Sequence, residues 1–228
     1  MSSTTLSVPP WAGPCRVLRW RRGRALAAVV ATACLSPGFA SPADAASATY
    51  SVVESKSSVR IHVGKSGLFS FAGHRHEVEA PVSGTVTADP SHLESSSVDL
   101  SFAALRLRVR EEGEPKGDAA KVQEKMHGPD VLDAVRFPEI RFKTKRVSGK
   151  ARSNGGYELR LVGELSLRGT TLEITLPVEV TLVGPSLTAT GKATLRHDQF
   201  GMKPVSVGGV VKVANEIPID FVIVAELQ

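Results

Sequence analysis

Beyond residue 45 the chain has no cysteine and no tryptophan: Cys15, Cys34, Trp11 and Trp20 all lie before it. The rest of the chain can therefore form no disulfide, offers no thiol nucleophile and builds no thiolate metal site. It also lacks a long hydrophobic run. Ala25–Leu35 is the most apolar stretch, and it is too short to span a bilayer as a helix. Net charge is missing as well. The first 45 residues hold five arginines and one acid, Asp44, so 28 basic and 23 acidic residues fall to 23 and 22 without them. The whole-chain pI of 9.4 comes largely from that segment, and a charge-based case for nucleic-acid binding disappears.

The leading segment reads as an export signal. Arg16, Arg19, Arg21, Arg22 and Arg24 form a basic head, Ala25–Leu35 an apolar run, and Gly38-Phe39-Ala40 and Ala43-Asp44-Ala45 small-residue cleavage patterns. Arg21-Arg22 has poor flanks for a twin-arginine signal. Cys34 lacks the leucine expected upstream of a lipoprotein acylation site. The expectation is a cleaved signal over residues 1–45 and one exported domain over 46–228, periplasmic or secreted, large enough to carry its own core.

Most of that domain alternates apolar and polar residues. Strands are expected over 47–57 and around Val59, Ile61 and Val63. A longer one should run from His74 through Val78, Val82, Gly84 and Val86 to Ala88, all on one face. Val98, Leu100 and Phe102 define the next, continued past a bulge at Ala103-Ala104 by Leu105, Leu107 and Val109. Further strands follow from Pro138 to Val147, over Leu159–Leu167, Leu172–Leu182 and Leu187–His197, and from Ile217 to Leu227. Leu172, Ile174, Leu176, Val178, Val180 and Leu182 alternate strictly with polar residues or Pro177, a strong strand signal.

The period changes twice. Asp118 can cap a short helix in which Val122 and Met126 share a face. Val131, Leu132 and Val135 then make a second helical stripe, with Pro129 at a position suited to a first helical residue and Pro138 as the stop.

Long one-faced strands fit a sandwich or a barrel. Short turns between consecutive strands and the small inward residues Ala80, Gly84, Ala88, Gly163, Ala189, Gly191 and Ala193 favour a barrel. The expected fold is thus all-β, a single eight-stranded antiparallel barrel with a short helical segment covering one side. Small inward residues leave room for a slender apolar ligand, unless bulkier neighbours fill it.

Three segments then carry a family resemblance. Val131–Phe142 (VLDAVRFPEIRF), Gly163–Gly169 (GELSLRG) and Asp198–Met202 (DQFGM) with Asn215-Glu216-Ile217 resemble, in order, the signature segments of the YceI-like family. The similarity runs from about Thr49 to Leu227. It implies a lipocalin-like barrel, exported in bacteria, with members that hold a polyisoprenoid chain, and it implies no catalysis. A Gly-x-Trp of true lipocalins is missing.

Candidate ligand-lining residues are Val78, Val82, Phe102, Leu107, Phe142, Leu165, Leu176, Ala189, Ala193 and Phe221, with Val131, Leu132 and Val135 on the covering helix. The expected partner is a long-chain isoprenoid or similar lipid, bound by a monomer or homodimer with transient membrane contact and no other cofactor. The alternative is a metal: His74 and His76 sit two apart on one strand face, and His197 continues an apolar face. Arg106, Arg108 and Arg110 form a basic strand face, either solvated or a rest for an anionic group. A ligand-free interaction barrel is the third reading. For an enzyme, no Gly-x-Ser-x-Gly, phosphate loop or His-Glu-x-x-His is present, and no paired carboxylates share an apolar face.

Overall fold

The computed structural model describes residues 47–66, 76–112, 117–153, 155–203, 206–207 and 211–228. In chain order the strands are β1 (Ala48–Val52), β2 (Ser58–Val63), β3 (Lys65–Ser66), β4 (His76–Glu79), β5 (Ser83–Ala88), β6 (Ser97–Ala103) and β7 (Arg108–Val109). The helix α1 (Asp118–His127) follows, then β8 (Glu139–Ala151), β9 (Tyr157–Leu167), β10 (Thr170–Val183), β11 (Ser186–Arg196), β12 (Ser206–Val207), β13 (Val211–Val213) and β14 (Glu216–Leu227).

These close into the expected eight-stranded antiparallel barrel, because three walls are each made of two collinear pieces. β1 and β2 both pair with β14, β1 through Tyr50↔Leu227 and β2 through Phe221↔Val59. β5 pairs with β1 and β6, while β4 pairs with β2 and β7. β8, β9, β10, β11 and β14 follow in sequence as single strands. Each wall neighbours the next along the chain, and β14 returns to β1. Closure of this kind removes the two outer edges of an open sheet.

The breaks have local causes. Pro81 lies between β4 and β5, where a missing backbone donor interrupts the ladder. The expected bulge at Ala103-Ala104 is a 3-10 turn over Ala104–Arg106. It turns Leu105 out to solvent, half exposed, so Leu105 does not share the inward face with Leu107 and Val109. β1 ends at Val52, short of the anticipated residue 57, and a 3-10 turn over Glu54–Lys56 follows. β9 and β10 meet at Arg168-Gly169, where both residues have positive φ (52° and 74°). That is the two-residue hairpin geometry that matches strand twist. β3, β12 and β13 form a small separate sheet that the alternation did not announce.

The helical region differs from expectation in one respect. α1 forms where Val122 and Met126 place it, although Gly117 takes the cap position and Asp118 is the first helical residue. The second stripe is not a helix. Residues 129–134 and 137 fold back on α1 through a run of turn bonds: Leu132 N–H to Met126 O (3.0 Å), Asp133 N–H to Gly128 O (2.8 Å), Ala134 N–H to His127 O (3.0 Å) and Phe137 N–H to Asp133 O (2.8 Å). Asp133 has φ 48°, in the left-handed region. Gly128-Pro129 is therefore a helix stop: proline commonly follows a helix end by a residue or two.

The small inward residues also have a partner. A Cβ on Gly163 would lie 2.7 Å from the Phe142 ring, and one on Gly191 would lie 2.4 Å from the Phe221 ring and 2.7 Å from the Pro177 carbonyl. Those two glycines make room for aromatic rings lying flat on the inner wall, and not directly for a ligand. Gly191→Ala is expected to destabilise the barrel by about 1–3 kcal/mol, since a flexible ring can yield but the Pro177 carbonyl belongs to the adjacent strand. Urea unfolding of the two proteins measures it; equal midpoints would show that the wall relaxes freely.

Candidate functional site

The barrel encloses an apolar cavity of about 260 Å³. An engineered apolar cavity of about 150 Å³ already admits benzene, so this space suits something larger. Its walls come from every side of the barrel, including Ile61 and Val78, Leu100 and Phe102, Ile140 and Phe142, Leu161 and Leu165, Ile174 and Leu176, Ala189 and Ala193, and Ile219 and Phe221. Several of these point inward and are still only half-buried, among them Ile61, Leu100, Leu176, Ala189, Ile219 and Phe221. Inward apolar residues in a filled core would be sealed by their neighbours. Here the middle of the barrel is hollow.

One end is closed by the three segments that carried the family resemblance. Leu132 and Ala134 of the 128–137 turn, Leu165 and Leu167 of β9, and Phe200 and Met202 after β11 are all buried there. Arg168 ties the three together. Its Nη1 donates to Gly201 O (2.6 Å) and its Nη2 to Pro129 O (2.7 Å), while Lys203 N–H donates to Asp130 O (2.8 Å). The buried Arg168 Nε has no partner, which fits a guanidinium whose plane is set by the two carbonyls beyond it. The Phe137 ring packs on Gly169, within 2.6 Å of where a Cβ would stand. At the other end the cavity reaches the Asp89–Ser96 loop, with Pro90 and Leu93 in its wall. There Asp89 Oδ1 accepts from Ser91 and His92 N–H, and Ser96 Oγ from Asp89 N–H.

The wall has one partial seam. β10 pairs with β11 only from Val178↔Gly191 to Val183↔Ser186. From Thr170 to Pro177, β10 is bonded to β9 alone among the described residues. Pro177, which lacks a backbone donor, stands where the ladder stops.

Of the candidate lining residues, Val78, Phe102, Leu107, Val131, Leu132, Phe142, Leu165, Leu176, Ala189, Ala193 and Phe221 border the cavity. Two do not. Val82 is buried outside the cavity wall, and Val135 is 85% exposed because its segment is a turn and not a helix resting on the barrel. The sequence reading overlooked Met126, Tyr157 and Met202, which also border the cavity. Met126 was read only as packing for α1, and Met202 sits in a turn where alternation gives no signal.

His197 is the buried polar side chain of the described core, 6% exposed, and it borders the cavity at the closed end. The corner that holds it is hydrogen-bonded through Asn215. Asn215 O accepts from His197 N–H (2.9 Å) and from Nδ1 (3.2 Å). The Asn215 side chain accepts from Asp198 N–H (3.1 Å) and donates to Asp198 Oδ2 (2.7 Å). Arg196 clamps the same carboxylate from the outer face at 3.0 Å. These two donors pull Asp198 down to about 2.

The other metal candidates are less informative. His74 lies outside the described residues. His76 is half-buried on β4 opposite Val63. Among the described residues no group of three or more His, Cys, Asp or Glu side chains could hold a metal ion. The three arginines are engaged with protein: Arg106 with Glu54 (2.5 and 2.8 Å), Arg108 with Leu105 O (2.7 Å), and Arg110 with Glu79 (3.0 Å) and Glu112. They form a paired outer face.

The model of the YceI-like domain family matches residues 50–225. The chain belongs to this family. Two solved structures share its fold. BcnA of Burkholderia cenocepacia is 22% identical, with a TM-score of 0.58, over 76% of this chain and 98% of that one. A domain from Saccharophagus degradans, described as polyisoprenoid-binding and implicated in plant cell wall breakdown, is 11% identical, with a TM-score of 0.54, over 78% and 98%. No curated protein matches. At these identities the two structures speak for the fold. Among the described residues no helix is long and apolar enough to cross a membrane.

Burial pushes the His197 imidazole below its ordinary 6.5, partly offset by the Asn215 and Ala214 carbonyls and the Asp198 charge. The folded state thus binds fewer protons than the unfolded state in the window just under pH 6.5, and stability falls as pH drops through it. His197→Gln is expected to flatten that part of the pH–stability curve. Denaturant midpoints taken between about pH 8 and 5 test this; parallel curves for the two proteins would refute it.

Proposed function

We propose that this YceI-like barrel binds a long-chain isoprenoid or similar lipid in its hollow interior and carries or sequesters it outside the cytoplasm. The observation that supports it most is the ring of inward apolar residues left half-buried around an apolar cavity. Family membership and the polyisoprenoid-binding description of a protein with the same fold add to it. Export rests on the leader pattern of residues 1–45, removed to give a domain over 46–228.

The energetics suit a hydrocarbon chain. Burial gains roughly 0.8 kcal/mol per CH₂, so ~20 carbons offer more than ~10 kcal/mol before the cost of ordering them. Micromolar binding then needs no charged contact. The seam beside β10 gives a chain a lateral route that does not require threading from an end. No residues in the site suggest catalytic work, and the barrel acts as a container, alone or as a homodimer.

Mass spectrometry of organic extracts from the purified domain should show a stoichiometric lipid. Ala189→Trp, which fills the half-buried middle of the tunnel, should reduce that stoichiometry at least ~10-fold while the barrel keeps its far-UV spectrum. An empty wild-type protein that also takes up no prenyl or acyl chain in titration would remove this reading.

A further inference from the structure

We propose that His197 selects the end group of the bound chain, accepting a hydrogen bond from a neutral terminal hydroxyl, so that the preferred ligand class is a long-chain alcohol. This rests on the lipid-binding reading and adds the chemistry of the ligand's polar end.

The tautomer follows from the partner. The Asn215 carbonyl has no proton to give, so the 3.2 Å contact requires His197 Nδ1 to carry one and donate it. A neutral imidazole has a single ring proton, which leaves Nε2 as a lone pair. No protein donor reaches Nε2 among the described residues, although the ring is 6% exposed and borders the tunnel. An imidazole acceptor at the wall of an apolar tunnel is stabilised by a donor, and a ligand hydroxyl can supply one. Burial, which disfavours the imidazolium, keeps the ring in this acceptor form.

The surroundings discriminate among termini. A phosphate or pyrophosphate would enter an apolar chamber whose wall, among the described residues, contains no lysine or arginine. Arg196 is held by Asp198, and both Nη atoms of Arg168 serve Gly201 and Pro129. Asp198 itself is tied to Arg196 and Asn215 on the outer face of the corner. An aldehyde, ketone or ether presents only lone pairs to a lone pair. A hydroxyl is neutral and donates. At the far end of the tunnel the Asp89 carboxylate and Ser96 hydroxyl already serve the loop, while the Tyr157 and Thr87 hydroxyls are competing anchors.

The test uses the leaderless protein, stripped of endogenous lipid, and four matched probes: a C20 prenol, its methyl ether, its aldehyde and its monophosphate. Binding is read by displacement of an apolar fluorophore. The prenol should bind about 10-fold tighter than the ether and the aldehyde, and the monophosphate most weakly. In His197→Leu the prenol should weaken until it matches the ether, whose own affinity stays within about 2-fold. His197→Gln, which restores an acceptor oxygen, should recover part of the preference. Equal binding of all four probes by the wild-type protein would leave the carrier reading intact and overturn the assignment to His197, without requiring any variant to fold. So would a preference that survives in His197→Leu or vanishes instead in Tyr157→Phe. Failure of every probe to bind would count against the lipid-binding reading itself.

Discussion

The whole arrangement depends on β14 being bonded along both sides. One side takes β11 from Arg196↔Glu216 to Ser186↔Glu226, and the other takes β2 and then β1. A sheet of eight strands can roll up without closing, and its interior would then collapse to bury the exposed inner face. Closure fixes the circumference with backbone hydrogen bonds, which are hard to give up once buried. The walls therefore stay apart even where side chains do not fill the space between them. That is how half-buried leucines and isoleucines persist on an inner face. Hollow interiors are costly when walls can move inward, and here they cannot move without breaking ladders.

Closure at one end has a different origin. The 128–137 turn, the β9–β10 hairpin and the Asp198–Met202 corner are far apart in sequence, and no backbone ladder joins them among the described residues. Arg168 joins them with two carbonyl contacts, and Phe137 fills the surface beside Gly169. The positive φ at Arg168 is part of the same device: the hairpin turn that places Gly169 next to Phe137 also aims the arginine across the end of the barrel. The segments by which the family is recognised are thus the ones that form its floor. The walls need only alternation, which many sequences satisfy, whereas the floor needs particular residues at particular places.

That division explains what could be read from the sequence. The strands, their faces and closure into a barrel follow from two-residue periodicity, and most residues named from it border the cavity. The failures occur where period is a poor guide. Val131, Leu132 and Val135 fit a helical stripe, yet a left-handed Asp133 folds the segment into turns and puts Val135 in solvent. Val82 has the right parity for the inner face, but it follows Pro81 at the break between β4 and β5 and lies outside the cavity wall. At Gly163 and Gly191 the pattern leaves open whether a ligand or bulkier neighbours take the space, and rings on the adjoining strands β8 and β14 take it. Alternation states which way a side chain points, not what lies over it. The seam beside β10 is half legible: Pro177 has no backbone donor, but only the register shows which neighbour is lost.

His197 shows why a polar residue can be tolerated on an otherwise apolar wall. An isolated imidazole in such a place would have every reason to be replaced, since each unsatisfied polar atom costs free energy. Asn215 removes half of the difficulty by accepting from both the backbone and the ring of the same residue. Its side chain then locks Asp198, and Arg196 locks it from outside, so the corner cannot turn to bring the ring to water. A purely structural role would be served as well by leucine. Three polar residues, Asn215, Asp198 and Arg196, hold one neutral ring against a lipid-sized cavity, an arrangement that makes sense if the ring's remaining bond is completed by what the cavity receives.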